Sequence, residues 1–361
     1  MIMKVLYFGA YNASDQRNGI LMEGLKQNSV EIIECQDSSE GFKKFYRLFI
    51  KHWKLRNDYD LIFVGFLSHI LMPLVALINS PIISWRSRKP IILDGYMSLY
   101  DSNVFSRQSY KPRSLWAYYY WYIDRVAFSL ADVVLFDTEK HIEYISKEFG
   151  IKKEKMARVF VGARENIFQP QPYERKDSKF KVFFHGTFIR SQGIEFILEA
   201  AKKLESHRDI EFIFIGDGQV KDEMVELAKK FNLINVVFLD RMPPQDLVRH
   251  ISQADVCLGL FGKADKIQRV IATKVFEYAV MRRPIITGYS PAVEELFRGE
   301  DVLFVNIADI DDLVRGILKL KNDPILRDKM VNSCYRKYIE YASTKKIGES
   351  LKKIMESQIT G

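Results

Sequence analysis

Short apolar runs alternate with longer amphipathic stretches along most of the chain. Each run is rich in Val, Ile, Leu, Phe or Tyr and ends near a glycine, an acidic residue or a threonine. Continuous apolar runs are typical of strands covered on both faces, as in parallel sheets. The runs are KVLYFG, VEIIEC, DLIFVGF, PIILDG, DVVLFDT, ARVFVGA, KVFFHG, IEFIFIGDG, NVVFLD, DVCLGLF, PIITG and VLFV. The pattern predicts an α/β protein built from doubly wound parallel sheets.

A segment with two prolines and mixed charge, FQPQPYERKDSK at residues 168–179, interrupts this pattern and is typical of a linker. We therefore predict two Rossmann-like domains, residues 1–168 and 169–342, that face each other across a cleft. Residues 343–361 predict a final helix that packs back toward the first domain. Ligands of such folds bind beyond the carboxyl ends of the strands, so the cleft is the predicted site.

The composition is that of a globular protein, because 47% of the 361 residues are hydrophobic and 28% are charged. Three scattered cysteines lack the spacing of a zinc site or a disulfide framework and predict reduced thiols. The N-terminal MIMKVLYFGAY has no signal-peptide cleavage site, so a cytoplasmic protein is expected. The apolar stretch from Leu61 to Ser84 is interrupted by polar residues, which favours a strand and a helix over a membrane span.

The formal net charge of +8 is concentrated in the first half of the chain. Residues 41–125 hold 13 Lys and Arg against 5 Asp and Glu. The stretch GFKKFYRLFIKHWKLR mixes basic and aromatic residues, and SLWAYYYWYIDR adds an aromatic cluster. Such mixtures predict peripheral contact with an anionic membrane, at the inner face of the plasma membrane. The alternative is a core helix with a basic outer face. Nucleic acid is not expected, since no recognition motif accompanies the charge.

The stretch RVIATKVFEYAVMRRPIITGYSPAVEEL carries the strongest candidate chemistry. It predicts a helix from Lys274 capped by Thr273, then a buried strand and a glycine turn. Lys274 and Glu277 share one helix face. A lysine in the first turn opposes the helix dipole, whereas a diphosphate beside it would explain the arrangement. The alternative is a solvated ion pair.

Two glycine turns follow strands in the second half of the chain. The first, HGTFIRSQG, has Gly186 before a helix start and Arg190 as a fixed cation, which suits a phosphate. A surface arginine is the alternative for Arg190. The second turn holds Gly216 and Gly218, and a G-x-G alone indicates a tight turn more often than a nucleotide site.

The run KVFEYAVMRRPIITGYSPAVEE, together with VFVGARENIFQP, resembles the GT-B glycosyltransferases of retaining family 4, the glycosyl transferases group 1. The resemblance implies that Glu277 binds the donor ribose and that the backbone of Ile271, Ala272 and Thr273 faces the diphosphate. It places the base beside Arg241 and Met242, and it places Glu294 toward the sugar. A glutamate that the family often carries is Arg269 here, which puts the donor sugar in doubt.

Together these arguments predict a donor site without metal and without a resident cofactor. The D-x-D triplet from Asp58 to Asp60 is typical of a turn rather than of a metal site. The predicted donor-binding residues are Gly186, Arg190, Gly216, Gly218, Arg241, Met242, Ile271, Ala272, Thr273, Lys274, Glu277 and Glu294.

The acceptor side is predicted in the first domain. The loop GAYNASDQRNGILMEGL offers Arg17 for an acceptor phosphate and Gly19 for close approach, with a flexible exposed loop as the alternative. Asp94 ends the strand PIIL and is the preferred polar group, Asp101 being a second, and Gly162 lies at the predicted cleft edge. The predicted catalytic residues are Asp94, Arg190 and Lys274.

The resulting hypothesis is a hexosyltransferase-type glycosyltransferase. It would move a sugar from a nucleotide sugar to a glycan, lipid-linked or other cell-surface polysaccharide acceptor, with retention of configuration. The alternatives are a sugar-nucleotide epimerase of similar fold and a catalytically silent binding subunit, which the arginine at position 269 favours.

Overall fold

The chain forms two compact units in a computed structural model that describes residues 2–13, 15–84, 88–172 and 177–360. The first unit is Met1–Val161 with Thr344–Gly361, and the second is Gly162–Ser343. The second unit begins ahead of the predicted residue 169 because Phe168 is already buried and Glu165 accepts a hydrogen bond from the Tyr338 hydroxyl at 2.8 Å. Residues 173–176 of the predicted linker lie outside the described residues.

The first unit contains a six-stranded parallel sheet in the order β2-β1-β3-β4-β5-β6. Its strands are β1 Lys4–Gly9, β2 Glu31–Gln36, β3 Leu61–Val64, β4 Ile91–Asp94, β5 Val133–Phe136 and β6 Met156–Arg158. The helices between them are α1 Gln16–Gln27, α2 Lys43–Leu55, α3 Met72–Ile78, α4 Pro81–Ser84, α5 Leu115–Leu130 and α6 Glu139–Phe149. The stretch from Leu61 is therefore strand and then helix, as predicted.

The second unit contains a six-stranded parallel sheet in the order β12-β11-β10-β7-β8-β9. Its strands are β7 Phe180–Thr187, β8 Ile210–Asp217, β9 Val236–Leu239, β10 Val256–Leu258, β11 Ile285–Gly288 and β12 Leu303–Val305. Its helices are α7 Ile194–Lys203, α8 Lys221–Lys230, α9 Pro244–Gln253, α10 Thr273–Val280, α11 Pro291–Glu294, α12 Ile310–Asn322 and α13 Pro324–Lys337. Strand order reverses between β7 and β10, which is where ligands of such sheets bind.

Each sheet has helices on both sides and apolar side chains between the layers. In the first unit, α2, α3, α5 and α6 bury residues against one side of the sheet, and α1 covers the other side. In the second unit, one cluster joins β7, β8, α7 and α12. Burial on both faces explains why the strands read as continuous apolar runs.

The last helix, α14 Thr344–Thr360, belongs to the first unit. Its residues Ile347, Leu351 and Met355 share a core cluster with α1. The two helices cross at Gly24 and Gly348, and a Cβ atom on Gly348 would lie 2.0 Å from the Gly24 oxygen. Glycine at both positions is therefore required for this close approach.

Candidate functional site

The candidate site lies at the carboxyl end of β7, where the strand order of the second sheet reverses. Gly186 has φ of +150°, and a Cβ atom there would lie 2.9 Å from the Lys274 Nζ atom. Glycine at this position therefore makes room for the lysine, which reaches the end of β7 from α10. The sequence predicted both residues at the site, and the structure brings them together.

Lys274 is buried, with 5% of its surface exposed. Its Nζ atom donates a hydrogen bond to Gln192 Oε1 at 2.7 Å and lies 3.6 Å from the centre of the Phe184 ring. Burial lowers the pKa of the Lys274 ammonium well below its ordinary value, and the carboxylate of Glu277 partly opposes that shift. The neighbouring groups therefore do not fully offset the cost of burying the charged ammonium, and an anion bound beside Lys274 would stabilise that charge.

Glu277 is also only 5% exposed, one turn along α10 from Lys274. Its Oε2 atom lies 3.0 Å from Nε2 of His185, the residue that precedes Gly186. The backbone N–H of His185 donates to the Tyr278 hydroxyl at 3.3 Å, and the two rings meet edge to face. The sequence did not join His185 to Glu277 because they lie far apart along the chain, although a histidine at a strand end was a usable signal.

The start of α10 differs from the prediction. The helix begins at Thr273, and its N-cap residue is Ala272, whose side chain makes no capping hydrogen bond. The prediction that Thr273 caps a helix beginning at Lys274 is therefore wrong. Ile271 is buried, whereas Ala272 and Thr273 are half-buried. Helix N–H groups at a first turn need outside acceptors, so this backbone can bind an anion next to Lys274.

Gly216 and Gly218, at the end of β8, allow close packing against the end of β7 and the turn that follows it. A Cβ atom on Gly216 would lie 2.0 Å from the Gly186 oxygen, and one on Gly218 would lie 2.7 Å from backbone atoms of Phe188. Their φ angles, +155° and +150°, also favour glycine. The structure thus gives both glycines a role in shaping the turn after β7, where the sequence predicted donor contact.

Arg190 lies in a 3-10 turn before α7 and has a largely exposed side chain. Its Nη2 atom donates to Glu223 Oε2 at 3.2 Å. The structure therefore places Arg190 in the arrangement that the sequence offered as the alternative, a surface arginine. Its catalytic and donor-binding roles gain no support from this conformation.

The remaining predicted donor residues lie on loops of the second unit. Arg241 is exposed and Met242 half-buried in the loop after β9. Glu294 is exposed at the end of α11 and accepts a hydrogen bond from the Tyr289 hydroxyl at 2.8 Å. Arg269 is half-buried, close before α10.

Arg17 and Asp94, predicted to face an acceptor, instead bind each other in the interior of the first unit. Arg17 Nε lies 3.1 Å from Asp94 Oδ2, and Nη2 lies 3.1 Å from Oδ1. Arg17 Nη1 also donates to the carbonyls of Val159 and Phe160, at 3.1 and 2.8 Å. Their side chains are 2% and 0% exposed. The structure therefore corrects both assignments: the pair joins α1 to the ends of β4 and β6.

The other residues predicted on the acceptor side have backbone roles. Gly19 lies in the first turn of α1 and its N–H donates to the Asp15 carbonyl at 2.8 Å, so the expectation of a glycine loop open to a ligand is corrected. Asp101 is buried in a π-helical turn. Gly162 has φ of +73° and is the first residue of the second unit.

Within the described residues, no cluster of three or more His, Cys, Asp or Glu side chains is arranged to hold a metal ion. Asp60 of the D-x-D triplet accepts a hydrogen bond from the backbone N–H of Lys4 at 2.8 Å. Among the same residues, none of the helices combines the length and apolar character that crossing a bilayer requires.

Solved structures with the same architecture show which fold the chain has. HepE of Anabaena, in complex with UDP and glucose, superimposes with a TM-score of 0.71 and 14% identity over 98% of this chain and 100% of that chain. Sucrose-phosphate synthase from Thermosynechococcus elongatus gives a TM-score of 0.72 and 12% identity over 100% of both chains. The fold is the two-sheet GT-B fold of glycosyltransferases, so the predicted fold class is confirmed.

The family follows from the sequence of the second unit. Residues 165–337 match Glycosyl transferases group 1, and the chain carries a domain of this family. Alpha-D-kanosaminyltransferase of Streptomyces kanamyceticus is 21% identical over 249 residues, which cover 66% of this chain and 62% of that protein. The chain thus spans less than two thirds of that relative. The predicted resemblance to glycosyl transferases group 1 is confirmed for the domain at residues 165–337.

Proposed function

We propose that the protein transfers a sugar from a nucleoside-diphosphate sugar to a glycan, lipid-linked or other cell-surface polysaccharide acceptor. Retention of configuration and independence from metal are parts of the proposal. The observation that carries it is the pair of buried charged side chains, Lys274 and Glu277, which reach the end of β7 from one face of α10.

Lys274 supplies the electrostatic part of the proposed reaction. A buried ammonium whose pKa is lowered by burial gains stability when an anion arrives, because the carboxylate of Glu277 offsets only part of the cost of burial. The donor diphosphate is such an anion, and its charge grows as the sugar leaves. A fixed cation in a site of low polarity stabilises that developing charge strongly, together with the backbone N–H groups at the start of α10.

Glu277 supplies the specificity for the nucleoside. Its carboxylate accepts hydrogen bonds only, and a ribose offers two neighbouring hydroxyl donors. His185 Nε2 lies 3.0 Å from Oε2 of Glu277, but neither atom makes a hydrogen bond within the described residues, so this buried carboxylate oxygen keeps its capacity to accept from a ribose hydroxyl. The solved complex of HepE contains UDP, which supports a uridine nucleotide as the first donor to test.

Glu277→Ala is expected to weaken nucleotide binding by about 1 to 3 kcal/mol, the range for a hydrogen bond to a charged group. Isothermal titration with UDP and GDP measures the change. Glu226→Ala is the matched control, because Glu226 is an exposed glutamate on α8 with a 70% exposed side chain. Equal nucleotide affinity of the Glu277 variant and the control would remove the ribose assignment.

The donor itself can be identified by thermal shift with a panel of UDP and GDP sugars, since a ligand that binds the folded state raises the unfolding temperature. Product analysis with the best donor then separates the functions. Transfer to an added acceptor supports the proposal. Release of an epimerised nucleotide sugar without acceptor would replace it with an epimerase, and binding without turnover over a broad acceptor panel would replace it with a binding subunit.

A further inference from the structure

The outward side of α5 carries an apolar stripe that faces water. Leu115, Tyr118, Tyr119 and Tyr122 are 88%, 58%, 46% and 65% exposed and follow one another at helical spacing. This spacing normally marks the side of a helix that packs on a core. The core side of α5 is a different one, formed by Ala117, Ala127 and Phe128 among others. Among the described residues, none therefore covers the outward stripe.

The outward side of α2 is both aromatic and basic. Phe42, Tyr46 and Trp53 are 90%, 69% and 42% exposed. The sequence from residue 43 to residue 57 contains Lys43, Lys44, Arg47, Lys51, Lys54 and Arg56 and contains neither Asp nor Glu. Aromatic and positively charged groups thus share one surface.

These two surfaces lie on the same side of the first sheet. Both α2 and α5 bury residues in the core cluster on that side, and α3 lies between them in contact with both. Leu77 of α3 is 55% exposed, so apolar exposure continues across the middle helix. We call the outward sides of α2, α3 and α5 the outer helical face.

We propose that the outer helical face binds an anionic lipid surface. An exposed apolar face of this extent marks an interaction site. Tyrosine, which supplies three of the four stripe residues of α5, and tryptophan, exposed as Trp53 on α2 and Trp116 on α5, are the side chains that favour the level of the lipid headgroups. Residues 102–123 likewise contain no Asp or Glu but do contain Arg107, Lys111 and Arg113. The whole face is therefore positive, which attracts anionic headgroups and repels a second copy of the same face.

Binding to vesicles tests the proposal, with the full chain and without nucleotide. We expect binding to vesicles of phosphatidylcholine and phosphatidylglycerol, weakened by added salt, and little binding to phosphatidylcholine alone. A variant with Lys43→Gln, Lys44→Gln and Arg47→Gln is expected to bind about a hundredfold more weakly. Its control carries Lys203→Gln, Lys229→Gln and Lys230→Gln, which removes the same charge from exposed lysines of the second unit.

The aromatic part is tested separately by Trp116→Ser, Tyr118→Ser and Tyr122→Ser. This variant is expected to lose at least tenfold in vesicle binding while it keeps its unfolding temperature and its affinity for UDP. Equal binding of neutral and anionic vesicles, or unchanged binding of either variant, would overturn the proposal. Failure to bind any vesicle at low salt would also overturn it and would leave the face to a protein partner. The proposal is independent of the donor site, because none of these residues contributes to it.

Discussion

Lys274→Met is expected to lower kcat/KM for sugar transfer by about a hundredfold to a thousandfold, the loss seen when one preorganised group is removed from a developing anion. The same variant is expected to unfold at a temperature no lower than the original protein. Methionine fills a similar volume without a charge, whereas the lysine holds an ammonium in a buried place where burial lowers its pKa. A residue that lowers the stability of the fold but is needed for activity has a functional rather than a structural role.

Measurements of transfer and of thermal unfolding on the same preparations check this result. Lys229→Met, at an exposed lysine of α8, is the control and should change neither quantity. A Lys274 variant that keeps full activity would contradict the proposed role of the ammonium.

The effect of Lys274 on stability also depends on pH. Between its lowered folded pKa and about 10.4, its pKa when exposed, the unfolded chain holds more protons on Lys274 than the folded chain does. The free energy of unfolding therefore rises with pH across that window through this residue. The advantage of Lys274→Met is largest below the window and disappears toward its upper end. Urea unfolding of both proteins over a pH series measures this difference.

Arg17→Ala is expected to lower the free energy of unfolding by about 3 to 5 kcal/mol, because it leaves the Asp94 carboxylate buried without its partner. Asp94→Ala should cost a similar amount for the converse reason. The double change Arg17→Met with Asp94→Leu is expected to recover much of the loss, since neither buried charge then remains. Denaturant unfolding measures all three.

The matched control is Arg88→Ala, which breaks a partly exposed ion pair with Asp132 at 2.9 Å. Exposed pairs of this kind contribute about 1 kcal/mol or less. An Asp94→Asn variant that loses transfer but unfolds like the original protein would restore the catalytic role that the sequence suggested for Asp94.

The strands and the candidate donor site could be predicted because their signals are local. A strand covered on both faces must be a continuous apolar run, and every predicted run contains or overlaps a strand of the structure. Lys274 and Glu277 share a helix face by their spacing alone. Gly186 was found because a glycine that ends a buried strand is itself a signal of a tight turn.

The roles that the sequence missed depend on contacts between distant residues. Arg17 and Asp94 are 77 positions apart, and only the parallel sheet brings α1 to the end of β4. The sequence around each of these residues, taken alone, predicts a polar side chain that faces a ligand. In the same way, the neighbour that makes Gly216 indispensable is the oxygen of Gly186, on the adjacent strand. A sequence pattern predicts the element on which a side chain lies, whereas tertiary packing decides which distant residue that side chain contacts.

The crossing of α1 and α14 has a consequence for biosynthesis. Residues 162–343 are contiguous, so the second unit can fold as soon as they have left the ribosome. The first unit is synthesised earlier, but its fold is completed only when α14 has been made, because Ile347 and Leu351 of α14 cover the apolar side of α1. Until α14 has been synthesised, the apolar side of α1 near Gly24 stays exposed on the nascent chain. A chaperone that shields this surface would therefore act on the first unit.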